Sequence, residues 1–249
     1  MKKLLPAVIV FSLLGVSVQA QILKDVLNKV VKKDSSGKTV INKDILAGKN
    51  LSNDDIVSGL KEALRVGTDT STKKLGKLDG YFADAAVKIL MPSEAQKVEK
   101  TLRSLGMGSL VDKAILSMNR AAEDAAKGVG NIFWNSIKQM SITDGLQILK
   151  GSDTAATAYL KKTTTAELTN KFRPVIDSSL TKFDATKYWA DVFNAYNKFS
   201  AKKVNPDLTG YVTEKALSGL FYNIALQEQK IRKDPAAQVT DILKKVFGK

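Results

Sequence analysis

Apolar residues recur along most of the chain at the three- and four-residue spacing of a helix with one buried face. The pattern begins at residues 21–33, where the apolar positions fall on one side of a predicted amphipathic helix. Residues 34–38 interrupt it, and a polar connector continues to residue 50. Apart from residues 38–41, no stretch alternates in the manner of a strand. The chain is therefore predicted to be all-α.

Start and stop residues divide residues 51–249 into a series of helices that form one multi-helix globular domain. Ser52 precedes Asp55 by three residues, and Ser141 precedes Asp144 likewise, so each pair predicts a capping box at a helix N-terminus. Glycine and proline predict helix ends and breaks. The predicted helices span 52–67, 93–106, 109–140 with a bend near Gly128 and Gly130, 142–151, 152–162, 165–180 with a kink or break at Pro174, 184–199 with an aromatic face, 209–233 with a close helix crossing at Gly219, and a last helix ending at Val246-Phe247-Gly248.

The N-terminus predicts export by a cleavable signal peptide, residues 1–20. Two lysines precede a short apolar run, and Val18-Gln19-Ala20 supplies the small residues of a cleavage site. That run is shorter than the roughly 20 residues of a membrane-spanning helix, and no other stretch approaches that length. The chain has no cysteine, which excludes a lipid-modified cysteine at the cleavage site. We expect a periplasmic or secreted protein that is soluble and not lipid-anchored.

The charge is strongly basic and favours an anionic partner. The formal net charge is +14, and loss of the signal peptide removes two lysines and no acid. Such a balance is typical of proteins that meet a lipid surface, an acidic envelope polymer or nucleic acid, and equally of a solvated surface that only maintains solubility. Because the lysines are scattered in twos and threes and no nucleic-acid-binding motif is present, nucleic acid is not expected. The sequence does not indicate the oligomeric state.

Several kinds of chemistry are excluded by composition. Without histidine or cysteine there is no Ser-His-Asp or Cys-His arrangement and no zinc site of ordinary composition. There is no glycine-rich phosphate loop, and the acids lack calcium-loop spacing. We therefore predict neither metal nor cofactor. An enzyme would have to use carboxylates, lysine, tyrosine or hydroxyls.

Residues 118–126 hold the most informative polar positions. On a helical projection, Asn119 falls inside the apolar stripe and Glu123 lies at its margin. Arg120 and Asp124 point outward at a spacing that allows a salt bridge. Four alanines in this stretch would let another helix approach closely.

A buried polar group destabilises a fold unless it is hydrogen-bonded, so Asn119 and Glu123 imply partners elsewhere. Three interpretations stay open: a structural network, a ligand-binding pocket and a catalytic site. The candidate site, with the expected partners, comprises Asn119, Arg120, Glu123, Thr157, Tyr211, Thr213, Glu228 and Arg232.

Eight ordered motifs between residues 51 and 248 resemble the bacterial exported family catalogued as domain of unknown function 4197. The resemblance implies an exported, all-helical, single-domain protein without an assigned activity, so no catalytic residue follows from it. Ser218 stands where many relatives would be expected to carry an acid. The motifs are Leu60-Lys61-Glu62-Ala63-Leu64, residues 118–123, Ala155-Ala156-Thr157, Phe172-Arg173-Pro174, Tyr211-Val212-Thr213, residues 216–221, Ile231-Arg232 and Val246-Phe247-Gly248.

Three functional hypotheses follow. The first is a binding or interaction protein for an amphipathic or anionic envelope ligand, with a pocket or groove partly lined by Asn119 and Glu123. The second is a carboxylate-dependent enzyme acting on envelope glycan or lipid, with Glu123 or Glu228 as acid or base; it requires two carboxyls about 5–10 Å apart in an open cleft. The third is a structural or assembly protein that uses the helix predicted at residues 21–33.

Overall fold

The computed structural model describes residues 31–33, 39–41, 52–182, 207–238 and 240–247, together with Ala185, Thr186, Trp189, Ala190, Asn194, Asn197, Lys198 and Lys203. The chain divides between Leu51 and Ser52 into two units. The predicted signal peptide lies outside the described residues.

In the first unit, the described residues form an antiparallel hairpin. Strand β1 (Val31–Lys33) pairs with strand β2 (Thr39–Ile41), with Lys32 opposite Val40. The strand suspected at residues 38–41 is confirmed for residues 39–41; residue 38 lies outside the described residues. The helix predicted at residues 21–33 is wrong for its last three residues, because they pair with Thr39–Ile41, three β-branched residues that favour a strand. Residues 21–30 of that prediction lie outside the described residues.

The described part of the second unit is helical, as predicted, and none of its helices combines the length and apolar character needed to cross a bilayer. Short 3-10 turns, Ser93–Ala95 and Pro235–Ala237, precede two of the helices. The helices are α1 (Asn53–Leu75), α2 (Gln96–Ser104), α3 (Gly108–Ala126), α4 (Gly130–Gln139), α5 (Ile142–Lys150), α6 (Ala155–Thr181), α7 (Leu208–Lys233) and α8 (Asp241–Phe247).

Both predicted capping boxes are confirmed. At the start of α1, the Asp55 amide donates to Ser52 Oγ at 3.1 Å, and the Ser52 amide donates to Asp55 Oδ2 at 3.2 Å. At the start of α5, the Asp144 amide donates to Ser141 Oγ at 3.1 Å, and the Ser141 amide donates to Asp144 Oδ2 at 3.0 Å. These contacts satisfy amides that have no partner within the helix.

Several predicted boundaries are displaced by tertiary packing or local backbone geometry, and the helices predicted at 152–162 and 165–180 form one continuous helix, α6. Helix α1 continues past Gly67 to Leu75, because its buried face continues through Ser71. The helix predicted at 109–140 is split into α3 and α4, since Gly128 adopts a left-handed φ of 75° between them. Helix α6 runs through Pro174 without a break, and its buried residues continue on both sides of the proline.

The core of the second unit lies between α1, α3, α6 and α7. Helix α7 packs against the other three, and α6 also packs against α3 and α4. Phe133 of α4 and Phe221 of α7 meet edge to face, with ring centroids 6.2 Å apart and an interplanar angle of 89°. Trp189 of the predicted aromatic helix is buried, and the described positions of that helix are helical. The other aromatic residues of its predicted face lie outside the described residues.

The close approach at Gly219 involves a non-helical segment rather than a second helix. Residues 76–92, which connect α1 to the first 3-10 turn, are called the 76–92 segment here. A Cβ atom at Gly219 would lie 2.9 Å from Tyr81 Cε1 and 3.1 Å from Val87 Cβ, both in this segment. The glycine therefore allows the segment to lie directly against α7.

Gly219→Ala should destabilise the protein relative to Gly130→Ala. Both changes replace a helical glycine, but a Cβ at Gly130 meets no atom within 4 Å. Overpacking typically costs about 1–3 kcal/mol, so the two variants should differ by about that amount in the free energy of unfolding, measured by chemical denaturation. Equal stabilities would show that the 76–92 segment does not press on Gly219.

Candidate functional site

Asn119 of α3 is fully buried and binds the backbone of the 76–92 segment. Its Oδ1 accepts a hydrogen bond from the Ile89 amide at 2.9 Å, and its Nδ2 donates to the Ile89 carbonyl at 2.8 Å. The same Nδ2 donates to the Ile115 carbonyl at 2.7 Å. The side-chain amide thus provides Ile89 with both hydrogen-bonding groups that a neighbouring backbone would otherwise supply.

Glu123, one helical turn further along α3, binds the same segment near its start. Its Oε1 accepts from the amides of Tyr81 and Phe82, both at 3.1 Å. Its Oε2 accepts from Arg120 Nη1 at 2.6 Å, and Arg120 Nη2 donates to Asp79 Oδ1 at 2.7 Å. Glu123 is 2% exposed, so its charge is compensated by two amides and one guanidinium.

Two tyrosine hydroxyls complete this arrangement. The buried Tyr81 hydroxyl donates to the Ala216 carbonyl of α7 at 2.7 Å, and burial raises the pKa of Tyr81. The Tyr211 hydroxyl of α7 donates to the Leu90 carbonyl at 2.8 Å, and burial raises the pKa of Tyr211 to about 12. We call Asn119, Arg120, Glu123 and Tyr211 the segment clamp, because each binds the 76–92 segment.

Glu228 of α7 forms a separate group at the N-terminus of α6. Its Oε1 accepts from the Ala156 amide at 3.0 Å, and its Oε2 accepts from the amide and the hydroxyl of Thr157, both at 2.8 Å. Arg232 donates to Glu228 Oε1 from Nε at 3.0 Å and from Nη2 at 2.8 Å, and also to the Ile148 carbonyl. We call Thr157, Glu228 and Arg232 the helix clamp; it places a carboxylate at the positive end of the α6 dipole.

The side chains considered as candidate partners of Asn119 and Glu123 do not all lie near them. Tyr211 joins them through the 76–92 segment, whereas the helix clamp is separate. Thr213 belongs to neither group, since its hydroxyl donates to the Thr209 carbonyl within α7.

The salt bridge considered between Arg120 and Asp124 is also absent from the structure. Arg120 turns toward Glu123 and Asp79, and Asp124 accepts from Lys127 at 2.7 Å. The physical reason is that Glu123 is buried and needs a counter-charge, whereas Asp124 is solvated.

Neither of the two cavities that stand out matches the pocket expected beside Asn119 and Glu123. The smaller holds about 20 Å³, enough for about one water molecule, and is lined by residues of α1, α6 and α7 that include Glu228 and Arg232. The larger is an open groove of about 400 Å³ between α3 and α6. Asn119 and Glu123 line neither cavity.

The geometry required of a two-carboxylate enzyme is not met by Glu123 and Glu228. They belong to different clamps, each is buried, and each is paired with arginine. A carboxylate that accepts several backbone amides and a guanidinium is held as a structural anion. Within the described residues, no group of three or more acidic side chains converges as metal ligands would. The carboxylate-enzyme hypothesis therefore fails at the residues proposed for it.

The arginines differ from the lysines in their pairing, which the sequence alone does not show. All five arginines of the chain pair with carboxylates: Arg65, Arg103, Arg120, Arg173 and Arg232. Trp134 is 39% exposed, and the Lys138 ammonium lies 5.8 Å from its ring centroid. The scarcity of arginine among 39 basic residues was the available sequence signal.

The comparisons with known proteins identify a family. A family model described as Protein of unknown function (DUF4197) matches residues 50–248, which agrees with the resemblance and its extent. No curated protein and no solved structure matches the chain.

Asn119→Asp should destabilise the protein by about 3 kcal/mol or more. The substitution keeps the shape but replaces the donor that serves the Ile89 and Ile115 carbonyls with a buried, unpaired charge. Asn131→Asp makes the same change at an exposed position of α4 and should shift the unfolding free energy by less than about 0.5 kcal/mol. Similar results for both variants would contradict the role assigned to Asn119.

Glu123→Gln and Glu228→Gln should loosen different parts of the structure. In each variant an NH₂ group replaces one carboxylate oxygen, so a donor faces another donor, an amide or a guanidinium, and a hydrogen bond is lost. Hydrogen exchange of the backbone amides that the carboxylate binds should therefore accelerate by at least about tenfold. Glu123→Gln should affect the amides of Tyr81 and Phe82, and Glu228→Gln those of Ala156 and Thr157. Each variant serves as the control for the other, and identical exchange patterns would rule out two separate clamps.

Proposed function

We propose that this chain, which belongs to the family described as Protein of unknown function (DUF4197), is an exported interaction protein. It binds an anionic, amphipathic component of the cell envelope through its outer surface rather than through an internal pocket. The signal-peptide features of residues 1–20 support export. The division between paired arginines and unpaired lysines supports the kind of partner.

The arginines are committed to intramolecular contacts. Arg120 and Arg232 neutralise the two buried glutamates, and Arg103 bridges Glu99 and Asp112 at 3.0 and 2.8 Å. Arginine is the side chain that recognises carboxylate or phosphate through two parallel hydrogen bonds. Arg120 and Arg232 are therefore not available for bidentate recognition of an external anion while the fold is intact, and the other three arginines would have to exchange a surface ion pair for it.

The excess positive charge is carried by lysines. Lysines 73, 74, 127 and 233 have a carboxylate within 4.0 Å. Among the described residues, many exposed lysines have no carboxylate within that distance, including Lys77, Lys97, Lys100, Lys113 and Lys230. Lysine is a strongly hydrated point charge on a flexible stem, which suits attraction to a charged surface without a fixed geometry.

An anionic lipid surface has the charge and extent that such lysines match. Each lysine near an anionic bilayer contributes about 1 kcal/mol of attraction, which decays within a Debye length of about 8 Å at physiological ionic strength. The amphipathic character of the proposed partner is supported by exposed apolar side chains beside lysines, as at Trp134 and Lys138. Tryptophan and lysine are both typical of membrane–water interfaces.

Binding to anionic vesicles, and its dependence on salt, tests the proposal. Residues 21–249 should co-sediment with phosphatidylglycerol vesicles at about 50 mM salt, and affinity should fall at least about tenfold by about 300 mM salt because the charges are exposed and screened. Phosphatidylcholine vesicles are the control and should bind little. Equal binding to both vesicles, or no binding to phosphatidylglycerol at low salt, would contradict the proposal.

A further inference from the structure

The turn between α2 and α3 carries three large apolar side chains that face solvent. Leu105 is 68% exposed, Met107 41% and Leu110 51%, and we call these three residues the apolar tip. Helix α2 has no fully buried residue and packs against α3 and the 3-10 turn before it. Packing within the protein does not explain the apolar residues at this turn.

Three backbone amides of the turn between α2 and α3 donate hydrogen bonds to carbonyls of α2. The Leu105 amide donates to the Thr101 carbonyl at 3.1 Å, the Gly106 amide to the Arg103 carbonyl at 3.1 Å, and the Met107 amide to the Leu102 carbonyl at 2.9 Å. Gly106 makes this path accessible with a φ of 76°. Because unpaired amides are strongly disfavoured in an apolar phase, the pairing of these three amides lowers the cost of moving the turn out of water, although the start of α3 carries no side-chain cap.

A surface ion-pair bridge links α2 and α3 beside the turn. Arg103 near the end of α2 donates to Glu99 in the same helix and to Asp112 in α3. The two acids accept from one guanidinium, which ties α2 to the first turns of α3. The apolar tip thus lies between two helices that are linked by this ion pair as well as by their packing.

Unpaired lysines lie behind the tip on both helices. Lys97 and Lys100 are exposed on α2, and Lys113 is exposed on α3. At a rise of about 1.5 Å per residue, Lys100 lies roughly 7.5 Å before Leu105 along the helix, and Lys113 roughly 4.5 Å beyond Leu110. Interfacial helices bury their apolar side about 5–10 Å into the boundary between headgroups and acyl chains. The separations of Lys100 and Lys113 from the tip leucines are comparable with that depth.

We propose that the apolar tip inserts into the acyl boundary of an anionic bilayer while Lys100 and Lys113 lie at the phosphate level; Lys97, about 12 Å before Leu105 by the same helical rise, adds attraction from farther out. The inference rests on the proposed function and names its partner and point of contact. A convex turn cannot enclose a small ligand, whereas a bilayer presents an apolar layer directly beneath negative charge. A second copy of the chain, docked tip to tip, would bring the same lysines together and repel.

Substitution of the tip leucines tests the contribution of the apolar contact. Leu105→Ser with Leu110→Ser should lower the affinity for phosphatidylglycerol vesicles by at least about tenfold. Leu78→Ser with Ile142→Ser is the matched control. Leu78 and Ile142 are 74% and 47% exposed, and neither belongs to α2, α3 or the turn between them. The control should bind within about twofold of the unmodified protein. Equal losses in both variants, or no loss in the tip variant, would overturn the proposal.

A single cysteine label reports insertion directly, because the chain has no cysteine of its own. A polarity-sensitive fluorophore on Met107→Cys should shift to the blue with phosphatidylglycerol vesicles and become protected from an aqueous quencher. The same label on Leu78→Cys should do neither. If the protein binds the vesicles while the label at position 107 stays accessible to the quencher, insertion of the apolar tip is contradicted. The proposed function, binding to an anionic surface, is not contradicted by that result.

Two other outcomes would also contradict the insertion. Absence of any vesicle binding would contradict both the proposed function and the insertion of the apolar tip. Protection of the label at 107 that needs no vesicles and rises with protein concentration would show that a second copy covers the tip, and the bilayer would be the wrong occupant.

Discussion

The backbone of the 76–92 segment sets the main constraint on this structure, because a non-helical stretch that enters a helical core must find partners for its amides and carbonyls. Helix α3 supplies them with side chains. Asn119 bonds both backbone groups of Ile89, and Glu123 accepts from the amides of Tyr81 and Phe82. These contacts hold the Tyr81 ring against α7, where only a glycine at position 219 leaves room for it.

The sequence identified the polar residues at the centre of this arrangement but not their partners. Asn119 interrupts the apolar stripe of α3, so its burial can be predicted from the sequence of that helix alone. Its partner is the backbone of Ile89, and backbone groups look alike at every position of a sequence. The candidate partners that the sequence offers are polar side chains, and of these Glu228 and Thr157 belong to the separate helix clamp. Helix starts were predicted correctly where a capping box made the signal local, as at Ser52 and Ser141.

The displaced helix boundaries also arise because a local sequence signal does not contain the tertiary contacts that decide where a helix ends. Gly67 suits a helix end, but the buried residues that follow it keep α1 helical. Pro174 weakens a helix locally, yet the buried face of α6 continues on both sides of it. Gly128 was expected to bend a helix and instead ends one, because its left-handed φ belongs to no helix interior. Local propensity predicted where the chain could change direction, and tertiary packing decided where it did.

The interior also bears on function. Its buried carboxylates are occupied by amides and arginines, so the polar residues that first suggested a pocket stabilise the fold. The side chains left for a partner are at the surface, where lysines surround exposed apolar positions. The family match extends over almost the whole helical unit, and the family's description assigns it no activity. The function proposed for the chain therefore rests on its surface chemistry.

The central claim is that Asn119 and Glu123 hold one segment together, and a double-mutant cycle between Asn119→Ala and Glu123→Ala measures it most directly. If one substitution releases the 76–92 segment, the second has less left to disrupt. The losses in unfolding free energy should then be non-additive by about 1 kcal/mol or more. Losses that add to within about 0.3 kcal/mol would mean that the two residues act independently, and the account of a clamped segment would be wrong.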